Sequence, residues 1–264
     1  MRHRNQGSSD LFMSIKMIKI SGLAALLATA SLVGAATEMS PVQQPVTHPA
    51  LQPFTASYQV LRGKKRVGVS KVELVADGGG LFVYRTRVKP RGWAKLFVHR
   101  DVKAESRFTL KNGLPCPQAY TSNGAKKNDT QRILFDPLNN EISNRYKGID
   151  KTLPWSPGVL DLLSMDIAMK LQFSRGEIPT EYTVAEKNSI REYHLEIEDT
   201  ESIQTPFGEY AAVRIRRQKT GSDNHAIIWL APELDYLMLR FDKYKRGKID
   251  FSIRLNDYNP APGN

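Results

Sequence analysis

The chain has 264 residues, with 38 Lys and Arg against 27 Asp and Glu and a formal net charge of +11. At 41% hydrophobic and 25% charged residues it has the make-up of a globular protein, which excludes wholesale disorder. A single cysteine excludes a disulfide framework, a cysteine zinc site and a Cys-x-x-Cys redox motif, and the body carries no apolar run long enough for a polytopic membrane protein.

Lys16 and Lys19 precede an apolar stretch from Ile20 to Val33, and the small residues Gly34, Ala35 and Ala36 follow. That order is the order of a secretory signal peptide, so residues 1–36 read as a leader cleaved after Ala35 or Ala36. The polar start leaves Met1, Met13 and Met17 as alternative first residues. Cysteine does not follow the apolar stretch, so a soluble periplasmic protein is expected rather than a lipoprotein. Cleavage removes Arg2, Arg4, Lys16, Lys19 and Asp10, leaving 34 basic and 26 acidic residues, a net +8. Such a balance favours anionic neighbours. Residues 37–53 carry four prolines and three glutamines and read as a flexible linker. Residues 54–258 read as one β-rich domain, and 259–264, with Pro260 and Pro262, as a disordered tail.

The body alternates. Phe54, Ala56, Tyr58 and Val60 are apolar against Thr55, Ser57 and Gln59, the pattern of a half-buried strand. Val67–Val75 and Leu81–Lys89 flank Asp77-Gly78-Gly79-Gly80, a hairpin turn. Strands are expected at Glu105–Leu110, Gln118–Ser122, Gln131–Phe135 and Glu141–Tyr146, then from Tyr193, at Ala211–Gln218, Ala226–Leu230, Tyr236–Tyr244 and Lys248–Leu255. In the last of these, Ile249, Phe251, Ile253 and Leu255 form one apolar face. Consecutive short strands joined by tight turns predict an antiparallel meander with one covered face.

One segment departs from this rhythm. From Pro157-Gly158 to about Phe173, Leu160, Leu163, Ile167 and Leu171 recur at helical spacing, and Val159, Leu162, Met165 and Met169 widen the stripe. Gly176 is the expected stop. A helix this apolar must be buried over most of its circumference. The expected fold is therefore mainly β: a long curved antiparallel meander sheet, a partial barrel or β-roll, packed around one apolar α-helix.

Several stretches carry a resemblance: FTASYQVLRGKKRVGVSKVEL at 54–74, RGWAKLFVHRDVKAESRF at 91–108, PWSPGVLDLLSMDIAMKL at 154–171, TPFGEYAAVRIRR at 205–217 and WLAPELDYLMLRFDKYKRGKIDFSI at 229–253. In these the chain resembles the exported bacterial family called domain of unknown function 3108. The resemblance is one of packing and turn patterns and implies export and a β-rich fold, mostly in Gram-negative bacteria, with no established activity. A curved sheet plugged by an apolar helix is also similar in outline to periplasmic lipoprotein and lipid carriers, an analogy of fold alone.

Signals of catalysis are poor. The body's histidines, His99, His194 and His225, have no metal-ligand spacing, and neither a Gly-x-Ser-x-Gly elbow nor a Ser-x-x-Lys pair occurs in the mature chain. Ser222-Asp223-Asn224-His225 holds the residue types of a hydrolase but reads as a hairpin loop. Cys116, between Pro115 and Pro117, reads as a packed thiol. The protein is expected to be no enzyme, with no catalytic residue, metal or cofactor.

The most informative loop is Arg91-Gly92-Trp93-Ala94-Lys95-Leu96-Phe97. It breaks the strand rhythm after Pro90 and sets apolar residues among Arg91, Lys95 and Arg100, the composition of a mouth for an amphiphile. The expected function is non-catalytic binding or carriage of an apolar or amphiphilic envelope molecule between sheet and helix. Its apolar part would meet Trp93, Leu96, Phe97, Leu163, Ile167 and Met169, and its anionic head Arg91, Lys95 and Arg100. The alternative is an assembly factor of the envelope acting through strand edges and the basic loop; a cell-wall or glycan hydrolase ranks last. The expected partners are a lipid or amphiphile, an envelope protein or an anionic membrane surface, and not nucleic acid.

Overall fold

The computed structural model describes residues 51–96 and 100–260. The expected signal peptide and most of the expected linker lie outside the described residues. Strand β1 (Phe54–Arg62) begins the body, but the packed core reaches back to Leu51, which is buried beside it.

The strands follow in chain order: β2 (Lys65–Ala76), β3 (Leu81–Pro90), β4 (Val102–Lys111), β5 (Leu114–Asn123), β6 (Thr130–Asp136), β7 (Glu141–Tyr146) and β8 (Ile149–Pro154). Helix α1 (Leu162–Ser174) comes next, then β9 (Glu181–Glu186), β10 (Ser189–Thr205), β11 (Gly208–Lys219), β12 (His225–Ala231), β13 (Leu237–Lys245) and β14 (Lys248–Pro260). Every strand pairs antiparallel with its neighbour in the chain except across the β8–β9 connection, which holds the helix, and β14 pairs with β1. The meander is thus a single 14-stranded sheet whose first and last strands lie at its centre and whose edges are β8 and β9. Asn259 and Pro260, expected in the tail, pair with Thr55 and Phe54.

The turns explain the regularity. Asn112-Gly113, Lys147-Gly148 and Arg246-Gly247 each place two residues at positive φ. Each joins strands at a two-residue hairpin, where that backbone matches the strand twist. Register collects the turns at two ends. The β1–β2 and β13–β14 turns and the β3–β4 loop share one end, called here the loop end. The turns after β2 and β4 share the other, the helix end.

Helix α1 links the two edge strands and lies against the inner face of the sheet. It starts later than the sequence suggests. Leu160 lies outside the helix, because its amide donates to the Thr183 carbonyl (2.9 Å) and its carbonyl accepts from the Ala185 amide (2.8 Å), while the Val159 amide closes a turn on the Ser156 carbonyl (3.2 Å). That pairing makes Asp161 the N-cap. Its carboxylate accepts from the amides of Leu163 (2.9 Å) and Ser164 (3.0 Å) and from the Ser106 hydroxyl (2.7 Å), while the Ser164 hydroxyl closes a capping box. At the C-terminus Gly176, at positive φ, and Glu177 donate to Phe173 and Gln172 in a Schellman motif. Lys170 is buried and reaches the Asp235 carboxylate (2.5 Å), and Arg175 donates to the Gly113 carbonyl. These two contacts hold the helix against the helix end.

The helix is buried over most of its circumference, with Leu162, Asp166, Gln172 and Ser174 partly covered. Ile167 and Leu171 join a cluster with Phe54, Tyr58, Leu74 and Phe108. Met165, Ala168, Met169 and Phe173 meet Val184, Ile215 and Ile228. Leu163 packs with Tyr120, Ile133 and Ile142. Full burial of each such side chain is worth about 1.5–3 kcal/mol, which is why a 13-residue helix is stable here and would be marginal alone.

Candidate functional site

Burial along the inner face is not uniform. On β14 Leu255 is buried at 5% exposure, Ile253 and Phe251 are half-buried, and Ile249 is 43% exposed. All four were expected on one covered face. On β1 Phe54, Ala56 and Tyr58 are buried and Val60 is half-buried. On β4 Phe108 and Ser106 are buried, and Ala104 and Val102 are half-buried. The gradient points the same way on these three strands, from the helix end to the loop end. Its cause is the position of α1. The N-cap Asp161 bonds to Ser106, midway along β4, and the helix runs from there towards Gly113. Among the described residues, no helix covers the inner face at the loop end.

That uncovered half carries charge. Phe251, Lys243, Ala226, Arg217 and Leu195 form one cross-strand row from β14 to β10, in which Ala226 and Leu195 are buried and Phe251, Lys243 and Arg217 are half-buried. The Arg217 guanidinium donates to Asp166 of the helix at 2.6 Å and lies 5.9 Å from the Phe241 ring centre. Phe241 in turn stacks with Phe251 at 5.8 Å. In the next row Lys219 reaches Glu186, which is buried, at 3.4 Å. Lys243 has no ion pair among the described residues. Burial, with Arg217 and Lys219 nearby, pushes its ammonium below the ordinary lysine value, although Glu186 opposes the shift. Three cations therefore face two carboxylates beside half-covered aromatic rings. Such a surface can receive an apolar group and an anionic group together.

The residues singled out in the sequence divide. Arg91 and Lys95 are exposed and border a small groove of about 470 Å³ with Lys89 and Asp101. Arg100 donates to the Gly124 carbonyl at 3.0 Å. Gly92–Leu96 is a 3-10 turn, and the β3–β4 loop that contains it lies at the loop end, beside the uncovered half. Phe97 and the side chains of Trp93 and Leu96 lie outside the described residues. Leu163, Ile167 and Met169 do not join the loop. Each belongs to a different cluster of the core, so the three point away from one another and line no common chamber. The interface between helix and sheet is filled along the helix.

Sequence reasoning missed Lys243, Arg217 and Phe251. The signal was present. Leu239, Phe241 and Lys243 share one register, as do Val213, Ile215 and Arg217, so each strand ends with a cation on its apolar side. The Ser222–His225 loop is tied to itself, the Asn224 amide donating to the Ser222 hydroxyl at 3.2 Å. His225 stacks on Tyr244 at 4.6 Å. The outer edge of β8 is short and carries Lys151 and Pro154, features that resist strand addition.

The family model described as "Protein of unknown function (DUF3108)" matches residues 54–254. The chain belongs to this family. The DUF3108 match takes in α1 and every strand, β14 up to Arg254, and so contains both the covered and the uncovered half of the inner face. No curated protein matches. Among solved structures, a β-barrel-like protein of domain of unknown function DUF1849 from Brucella abortus is 8% identical, with 81% of this chain and 99% of that one covered and a TM-score of 0.48. A putative exported protein with a YmcC-like fold from Bacteroides fragilis is 10% identical, with 79% and 96% covered and a TM-score of 0.32. A DUF1329 family protein from Desulfovibrio piger is 11% identical, with 82% and 88% covered and a TM-score of 0.27.

Proposed function

We propose that this DUF3108 protein is an exported, non-catalytic binding protein that takes up an apolar or amphiphilic molecule with an anionic head group. The ligand sits at the loop end of the inner face and not along the helix. The observation that carries this reading is the row in which Lys243 and Arg217 stand beside the half-covered rings of Phe251 and Phe241. The rings receive the apolar part. Lys243 meets the head group, since Arg217 and Lys219 already hold Asp166 and Glu186. Arg91 and Lys95, on the loop at the same end, attract anions to the entrance. The leader pattern of residues 1–36 supports export to the periplasm, and the net +8 left by cleavage suits an anionic ligand.

Four measurements test this. Mass spectrometry of the processed protein should show a chain beginning at Ala36 or Thr37. Native mass spectrometry after purification without detergent should show a co-purifying amphiphile, and a fluorescent fatty acid should bind one per chain. Lys243→Gln should weaken that binding tenfold or more. A strictly unliganded mass together with no fatty-acid uptake overturns the reading.

A further inference from the structure

The opposite face of the sheet has a large feature of its own. A trough of about 930 Å³ crosses β14, β1, β2, β3, β4 and β5. Its walls are two cross-strand rows two residues apart. One is Asp257, Ser57, Lys71, Arg87, Lys103 and Asn123, and the other is Asn259, Thr55, Glu73, Arg85, Glu105 and Thr121. Between them the intervening residues, such as Ala56 and Val72, turn their side chains to the inner face, so the trough floor is backbone.

The rows differ in how their charges are settled. In the second, Arg85 is held between Glu105 (2.7 Å) and Glu73 (3.4 Å). Burial pushes the Glu105 carboxyl up, but hydrogen bonds from Arg85 and Arg107 outweigh it and hold it below the usual carboxylate range. In the first, Lys71, Arg87 and Lys103 stand directly opposite one another on three adjacent strands. Like charges so placed destabilise a sheet. Arg87 is relieved by Asp101 at 2.5 Å, but Lys71 and Lys103 make no ion pair among the described residues. Two exposed ammonium groups in one trough are thus left without a carboxylate among the described residues.

We propose that this trough is a second binding site, and that its ligand is an acidic polysaccharide chain lying across the strands. The lysines receive carboxylates. The hydroxyls and amides of Thr55, Ser57, Thr121, Asn123 and Asn259, with the carboxylates of the other wall, exchange hydrogen bonds with sugar hydroxyls. The alternatives fit less well. The outward-facing side chains of the trough are all polar, so the apolar side chains of a peptide have nowhere to pack. Glu73, Glu105 and Asp257 repel a chain that is anionic without being a donor, such as polyphosphate. Six strands at the usual spacing span about 24 Å, which asks for an elongated ligand.

The test is calorimetric titration of the full chain with hexagalacturonate, with maltohexaose and with polyphosphate of similar length. Hexagalacturonate should bind, weakening as salt rises, and maltohexaose should bind at least tenfold more weakly. The double variant Lys71→Gln/Lys103→Gln should lose tenfold or more in affinity for hexagalacturonate. It should melt no lower than the wild type, because like-charge repulsion is removed. Its uptake of fluorescent fatty acid should be unchanged, which separates this site from the one on the inner face. Polyphosphate binding as tight as hexagalacturonate, undiminished binding by the double variant, or no binding of hexagalacturonate each overturns the proposal.

Discussion

The two ends of the inner face share one pattern of alternation but differ in what covers them. At the helix end, Phe54, Leu74, Phe108 and Leu255 close on Ile167 and Leu171, and the charged side chains that enter, Lys170 and Arg175, are held by Asp235 and the Gly113 carbonyl. At the loop end, Val60, Phe251 and Ile253 stand half-covered on the same strands, and Arg217, Lys219 and Lys243 stand among them. A binary pattern specifies which side of a strand faces inward. It does not specify whether a second layer reaches that far. Here the reach is set by one residue, Asp161, which starts the helix midway along the sheet.

Truncations should separate the two halves most sharply. Ile167, 1% exposed at the helix end, should lose about 2–5 kcal/mol on replacement by alanine, combining the transfer loss with the cavity left behind. Val60→Ala, at the loop end, removes two half-covered carbons and should cost about 1 kcal/mol or less. Urea denaturation of the two variants reads the difference. Equal losses would mean that the loop end is as tightly packed as the helix end, and the distinction between the halves would fall.

A smaller effect tests what sets the boundary. Asp161 is fully buried, and burial raises its carboxyl above the ordinary aspartate value despite the bonds from Ser106, Ser164 and Leu163. Asp161→Ala should cost about 1–2 kcal/mol by loss of the cap. Asp161→Asn keeps an acceptor for the two helix amides and removes a buried charge, so it should stay within about 1 kcal/mol of the wild type. The sign with pH follows. A raised native value adds stability below the unfolded value of 3.8 that is lost as pH rises through the native one. The asparagine variant should lack that loss. Thermal melts between about pH 3 and pH 6 check it, and an asparagine variant as unstable as the alanine one would show that the charge itself holds the helix start.

How much of this was legible follows from the same boundary. Every strand with one covered face was readable, because alternation survives there. The two strands missed were the edges. In β8, Ile149, Asp150, Lys151 and Thr152 are all exposed and only Leu153 is buried, so no alternation forms. In β9, Val184, Ala185 and Glu186 are buried in succession, because the Leu160 segment pairs with the strand and both its faces are covered. The helix start was read too early for a related reason. Val159 and Leu160 fit the helical stripe, yet Leu160 pairs with the edge of β9 and Val159 closes the turn before it. The Trp93 loop reads as a mouth from composition alone, and its backbone lies at the loop end of the sheet. The helix residues were assigned to the same site because apolar spacing does not say which way each residue of a helix buried over most of its circumference points. The trough escaped notice because it depends on register between strands, which no single strand reveals.

The smallest expected effect is on stability at Lys243, and it is informative because it should be small. The half-buried ammonium lies below its ordinary value of 10.5 through burial and through Arg217. The native state therefore binds this proton less tightly than the unfolded chain does, and wild-type stability should rise as pH climbs towards 10.5. Lys243→Gln removes the cost of holding the charge, so at pH 7 its stability should match or exceed the wild type within about 0.5 kcal/mol. That margin should shrink as pH rises. A margin that grows instead would mean that Lys243 gains from its charge in the free protein, with a partner already in place. The pairing of a small, correctly signed stability change with a large loss of fatty-acid binding is what distinguishes a residue kept for a ligand from one kept for the fold.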